Sequence, residues 1–428
     1  MEHKETKYHL MNVADGHEFE DKGWTLADPQ AESPSLVRAV YENRRFTPAE
    51  DLDGIYRYAD WLPVKRTLKG SAAPITYKSE VMAAELGLSN LYITFSGWWP
   101  EKGAMMSTCS FKETEAYSVC GRLAPGNERI LVVASAGNTA RAFAKVCSDN
   151  GIPLLISIPE DNIGALWFSE PLNECVKIIA TPKGSDYFDA IVLSDKVCTD
   201  PTFMAEGGAK NVARRDGMGT TLLSAVEKIG RIPDAYFQAI GSGTGTIAVW
   251  ENNLRLIEDG RWGSHKMRLY PSQNAPFTIM YDSWKHHSRQ LVEMTPDDAR
   301  NAAGAIDAKV LSNRKPPYSL AGGLFDAMED AGGDMFMVTN EDLRFWKKKF
   351  LELEGIDIHN ASAVALASLA QAVNEGTVKR DEIIMLNITG GGEELAKSGK
   401  KIVYAQPHLV LDQDLPAEKV IEAVKRLF

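Results

Sequence analysis

Lys112 is the residue from which the chemistry of this chain is best read. It follows Ser107-Thr108-Cys109-Ser110-Phe111 and leads into a helical pattern over residues 113–120. A lysine amine kept from water can lose its proton near neutral pH. It can then form an imine with an aldehyde, or move a proton at a neighbouring carbon. Three further stretches supply what such a lysine needs. Ser135-Ala136-Gly137-Asn138-Thr139 follows an apolar run. The Asn138 amide can donate to a phenolic oxygen, and backbone N–H groups from Ala136 to Thr139 can hold a carboxylate. Gly241-Ser242-Gly243-Thr244-Gly245-Thr246 lies between a strand pattern and a helix pattern. Its glycines let N–H groups converge on a phosphate, and its hydroxyls add donors. No Gly-Lys-Ser/Thr follows, and the spacing is not G-x-G-x-x-G, so neither nucleotide motif is met. Leu386-Asn387-Ile388-Thr389-Gly390-Gly391-Gly392 ends a strand pattern. There Thr389 offers a neutral hydroxyl to a ring nitrogen and leaves that nitrogen mostly unprotonated. Each stretch alone also fits a capped turn, a tight strand–helix turn or a strand end. Their order in one chain is what points to a site.

The elements that must position them alternate. Strand patterns cover residues 90–95, 130–134, 154–158, 175–180, 235–240 and 383–388. Helical patterns cover 79–86, 140–148, 186–197, 217–229, 247–257, 339–354 and 361–373. Repeated strand–helix units predict an α/β chain with parallel sheets covered by helices. Two open parallel-sheet domains around a central cleft are expected, with ligands at the carboxyl ends of the strands. The expected division is an N-terminal extension over 1–60, a larger domain over 61–125 and 232–428, and a smaller one over 126–231. Trp98-Trp99-Pro100 is expected to pack at a domain edge.

The bulk numbers restrict the partners. The chain has 428 residues and a net charge of -11. An acidic surface repels nucleic acid and anionic lipid, so no nucleic acid and no membrane partner is expected. The cysteine count of 5 is odd and contains no C-x-x-C, which argues against a disulfide framework. With no spanning apolar run and no signal-type start, a cytoplasmic location is expected. His286-His287 lack ligand-spaced neighbours, and adjacent helical residues point apart, so no metal is expected.

Taken together, Ser110-Phe111-Lys112, the 135–139 loop, the 241–246 turn and Thr389-Gly390-Gly391-Gly392 resemble the threonine synthase branch of fold type II pyridoxal phosphate enzymes. The similarity runs over nearly the whole chain and implies the tryptophan synthase β-like fold. Within that branch, Tyr58-Ala59-Asp60-Trp61-Leu62-Pro63, Trp99-Pro100-Glu101-Lys102-Gly103-Ala104, Ser272-Gln273-Asn274 and residues 108–113 and 311–318 are similar to cysteate synthases.

The resemblance implies pyridoxal 5'-phosphate as cofactor. Lys112 would be the imine lysine with Phe111 beside it, and Asn138 the phenolate partner. Gly241, Ser242, Gly243, Thr244 and Gly245 would form the phosphate cup, with Thr389 at the pyridine nitrogen. Ser135, Ala136, Gly137, Asn138 and Thr139 would hold the substrate. The implied reaction converts O-phospho-L-serine and sulfite to L-cysteate and phosphate through an aminoacrylate, a step toward coenzyme M. By residue type Arg122, Arg141, Lys210, Arg214 and Arg215 are candidate anion binders, and a small anionic amino acid and sulfite would share a cationic pocket with Lys102, Arg141, Lys210 and Arg314 as its candidates. A homodimer is implied as well. Alternatives are threonine synthase acting on O-phosphohomoserine, another nucleophile such as sulfide, and a non-catalytic pyridoxal phosphate regulatory protein. The chain departs from its relatives at Met106-Ser107-Thr108-Cys109, where threonine synthases usually carry Asn-Pro-Thr-Gly, and at Glu113, where they carry Asp. The first hundred residues hold no cysteine, unlike relatives that begin with a zinc-ribbon-like segment.

Overall fold

Aliphatic strands too apolar to face water on either side build the two sheets that frame the cleft. The computed structural model describes residues 5–428. The larger sheet has six strands in the order Phe336–Val338, Arg268–Asn274, Ala235–Ala239, Ile383–Ile388, Asn90–Phe95 and Ile75–Lys78. All neighbours run parallel except the last pair. The smaller sheet is wholly parallel, in the order Phe203–Ala205, Ile130–Ala134, Leu154–Pro159, Val176–Thr181 and Leu409–Val410.

Two segments depart from the expected division. Leu409–Val410 pairs with Val176–Thr181, and helix Ala417–Lys425 buries Val420 and Val424 beside Leu193 and Val197. The end of the chain therefore joins the smaller sheet, although 232–428 was expected in the larger unit. A strand of two residues carries no period to read. Helix Val212–Ile229 packs on helices Lys112–Arg122 and Thr244–Asp259, and its Leu222, Leu223 and Val226 enter the larger core. It was expected in the smaller unit, and it begins five residues earlier than its apolar pattern. The Asn211 side chain caps it by accepting from Ala213 N at 3.0 Å.

The N-terminal segment forms its own antiparallel sheet of Glu18–Phe19, Tyr8–Asn12 and Val37–Tyr41. Leu10, Val37 and Tyr41 bury against the larger core. Trp99 is buried and meets Tyr77 and Phe95 edge-on. Among the described residues no helix is long and apolar enough to cross a membrane.

Candidate active site

Three of the expected stretches lie just past the carboxyl ends of parallel strands. Ser135 follows Ile130–Ala134, Gly241 comes soon after Ala235–Ala239, and Thr389 follows Ile383–Ile388. All thirteen expected site residues line one cavity between the sheets.

Lys112 is the first residue of helix Lys112–Arg122. The loop before it is pinned to the Thr389 strand: Phe111 N donates to Thr389 O at 2.9 Å, and Ser110 bridges to Gly390. Cys109 takes φ +55°, the left-handed region that favours glycine. Its buried side chain packs with Trp167 and Ala396. The Lys112 amine lies 3.1 Å from Glu115 Oε2 and 4.8 Å over the Phe111 ring. Burial pushes its pKa below the ordinary lysine range, against the pull of Glu115. Glu113 turns the other way and accepts from Thr108 N and Oγ1, both at 2.8 Å. Burial raises it to about 6.

Asn138 opens helix Asn138–Asn150. Its Oδ1 accepts from Arg141 Nη2 at 3.2 Å, which leaves its amide N–H groups without a protein acceptor among the described residues. Gly137 N donates to Ser135 Oγ at 3.2 Å, so the loop is braced from within. Thr139 Oγ1 donates to Glu115 Oε1 at 2.9 Å.

The glycine turn caps the sixteen-residue helix Thr244–Asp259. The first N–H groups of a helix have no carbonyl partner within it and carry positive potential. Gly243 sits at φ +77°. A Cβ on Gly241 would stand 2.6 Å from the Val310 carbonyl oxygen, and one on Gly245 would stand 2.7 Å from Gln238 Nε2. Behind the turn, Thr246 Oγ1 is buried without a partner among the described residues. A phosphate cradle, a nearby buried amine and a free Thr389 hydroxyl fit a phosphorylated pyridine aldehyde. Gly241→Ala should therefore weaken retention of pyridoxal phosphate by one to two orders of magnitude. Backbone overlap cannot relax by a rotamer change, and overpacking costs about 1–3 kcal/mol. Titrating the protein with pyridoxal phosphate by absorbance measures it, and unchanged affinity would remove Gly241 from the cup.

Comparison with known proteins identifies the family. The family model for pyridoxal-phosphate dependent enzymes matches residues 102–390. The cysteate synthase of Methanosarcina acetivorans is 46% identical over 388 residues, spanning 90% of this chain and 93% of that protein. The chain belongs to the cysteate synthase family of pyridoxal-phosphate dependent enzymes. The cysteate synthase of Methanospirillum hungatei is 42% identical over 420 residues, 98% of each chain. Among solved structures, maize serine racemase superposes with a TM-score of 0.57 at 16% identity, over 75% of this chain and 89% of its own. A fungal L-serine ammonia-lyase from Rhizomucor miehei gives 0.57 at 12% identity, over 77% and 99%. These two share the fold of the cysteate synthase family member described here.

The cationic residues of this family member's cavity differ from those expected. Arg214, Lys309 and His359 line it; Arg214 is among the candidate anion binders by residue type, whereas Lys309 and His359 were not expected. Lys102 instead sits over the Tyr77 and Trp99 rings. Arg141 lies under Trp167 and donates to Thr108 O at 2.8 Å. Arg314 pairs with Asp186, and Lys210 falls in the short turn Gly208–Lys210, away from the cavity lining. Lys102, Arg141 and Arg314 are thus used by their nearest neighbours rather than by the cleft. One signal did point the right way. Residues 311–318 carried the resemblance, and Leu311, Ser312 and Asn313 form a wall of the cavity. Asn274 Oδ1 holds that wall by accepting from Ala308 N at 3.0 Å. His359 closes the far side, its Nε2 lying 3.1 Å from Glu393 Oε2. Burial opposes the charge on Glu393, yet His359, Arg141 and Lys397 hold its carboxyl at about 2.

Proposed function

We propose that this chain makes L-cysteate and phosphate from O-phospho-L-serine and sulfite by replacement at the β-carbon. One observation carries the choice of substrate. Lys112, Arg214, Lys309 and His359 line the cavity, while Glu115, Glu206 and Glu393, the carboxylates paired with Lys112, Arg214 and His359, are not among its lining residues. Such a pocket suits a phosphate leaving group and then a sulfite nucleophile in the same place.

Bound pyridoxal phosphate supplies the electron sink at the substrate's α-carbon. The chain's residues do the rest. The turn from Gly241 to Gly245 holds the cofactor phosphate at the start of helix Thr244–Asp259, and Thr389 offers its hydroxyl to the ring nitrogen. Asn138 gives its amide N–H to the phenolic oxygen. The N–H groups of Ala136, Asn138 and Thr139 hold the substrate carboxylate, with Ser135 and Gly137 shaping the loop. Lys112 takes the α-proton. Phosphate leaves with the electron pair of its C–O bond, and sulfite sulfur brings the pair that forms the C–S bond. Lys112 then returns the proton to the α-carbon.

The larger and smaller units flanking the cleft belong to this proposal, supported by the two parallel sheets and with residues 403–428 assigned to the smaller. A homodimer, supported by family resemblance, belongs to it as well, as does the cytoplasmic location expected from the sequence.

A paired assay separates the reaction from its nearest rival. Purified protein with pyridoxal phosphate should give cysteate and free phosphate from phosphoserine plus sulfite. It should give little threonine from O-phosphohomoserine, with kcat/KM favouring phosphoserine by at least about tenfold, the scale of one methylene in a fitted pocket. Efficient threonine formation, followed by mass, would overturn the assignment.

A further inference from the structure

Behind the cavity wall four charged side chains alternate in sign. Lys112 Nζ lies 3.1 Å from Glu115 Oε2, Arg214 Nη2 lies 3.4 Å from Glu115 Oε1, and Arg214 Nε lies 2.8 Å from Glu206 Oε1. Side-chain exposure is 0% for Glu115, 6% for Glu206, 13% for Arg214 and 21% for Lys112. Glu115 Oε1 also accepts from Thr139 Oγ1. One buried carboxylate thus touches the amine on one oxygen, and the substrate loop and Arg214 on the other.

We propose that Glu115 is a positioning residue that fixes the Lys112 nitrogen, holds a proton on it, and ties it to Thr139 and Arg214. The proposal rests on Lys112 being the cofactor lysine. A pair three residues apart on an exposed helix face contributes little. Here Glu115 is fully buried and Lys112 only one-fifth exposed, so the pair is screened less than one on an open helix face, and the charge balance gives it direction. With Lys112 neutral, the buried set holds two carboxylates against one guanidinium. A proton on the Lys112 nitrogen evens the count. The groups facing the set are few. Burial lowers the pKa of Lys112; Glu115 counters this, Arg214 adds to it, and Glu206 counters it from the segment after strand Phe203–Ala205. Burial also raises Glu206, and Tyr187 faces Arg214 from the start of helix Tyr187–Val197. Thr139 competes with Lys112 for the same carboxylate, so the substrate loop and the amine are coupled through it.

The test is a pH titration of the holoenzyme's visible absorption, which reports the proton on the Lys112 nitrogen without turnover. Glu115→Gln removes the anion beside that nitrogen, and the midpoint should fall by about one unit or more. Thr139→Val removes a donor that draws on Glu115, and the midpoint should rise. A structural Glu115 would lower the melting temperature and leave both midpoints in place, and that result overturns the proposal. If Glu115→Gln fails to fold, Thr139→Val decides alone: a rise supports the proposal, and an unmoved or lowered midpoint sinks it. A wild-type protein that never acquires a cofactor band sinks the underlying assignment of Lys112 instead, so the two failures are told apart.

Discussion

Lys112→Ala should leave a folded protein whose turnover of phosphoserine and sulfite is down by at least about 10⁴, the upper scale of a single acid–base group. The amine has two tasks in the proposed reaction, holding the cofactor and moving the α-proton, and nothing nearby takes over either. Lys309 is the other lysine lining the cavity, but its Nζ is turned to the carbonyls of Ala303 and Gly304 at the end of helix Pro296–Ala305. Stability should fall in part, because Glu115 keeps Thr139 and Arg214 as partners when the amine is gone but loses the cation that balances the buried set. Borohydride reduction followed by intact mass gives the sharper readout. The wild-type chain should gain the cofactor's mass at Lys112, and the variant should gain none. A variant still labelled on Lys309 would move the role there, and a variant with full activity would end the assignment.

The parts of this site that could be read from the sequence share a property: each is a short contiguous stretch at the end of a strand. The turn from residue 241 to 246, the 135–139 loop and Thr389 each fit an ordinary turn or strand end alone, and they became legible because they follow strand patterns in one fixed order with Lys112. The order of strands and helices was legible because each strand carries its own period. What stayed hidden depends on distant pairings. By type Arg214 is one of several candidate anion binders, with a surface position the commoner reading for Arg214-Arg215-Asp216, yet Arg215 and Asp216 are buried in ion pairs with Glu251 and Arg255, and Arg214 itself faces the cleft. A charged run normally marks a solvated face. Here Glu251 and Arg255 from one helix, with Glu115 and Glu206 from other segments, reverse that, and no local pattern names them. Leu409–Val410 is similar: its meaning comes from a strand more than two hundred residues earlier.

The same buried pairs set the largest expected loss of stability. Glu251, 1% exposed, accepts from Arg215 Nε at 3.0 Å and from Arg38 Nε at 3.4 Å. Arg38 belongs to the N-terminal sheet and Arg215 to helix Val212–Ile229, which also carries Arg214. Glu251 lies on the helix whose first turn forms the proposed phosphate cup. It therefore bolts three elements together behind the site. Glu251→Ala should destabilise the fold by about 3–5 kcal/mol, because it strands two guanidinium groups away from water. Arg215 keeps the carbonyls of Ala209 and Val37, which satisfy its N–H groups but not its charge. Adding Arg215→Met to Glu251→Ala should recover part of the loss by removing that charge, and urea unfolding of the four proteins in the cycle measures it. No recovery would mean that packing, not charge, causes the loss. The pH dependence supplies a second check. Burial opposes ionisation of Glu251, but Arg215, Arg38 and Arg255 hold its pKa below the usual 4.5. Its contribution is complete above that value and is lost as the pH falls below it. The acid-side loss should be smaller in Glu251→Ala than in the wild type. An N-terminal sheet that merely decorated the surface would leave both the urea midpoint and the acid limb unchanged.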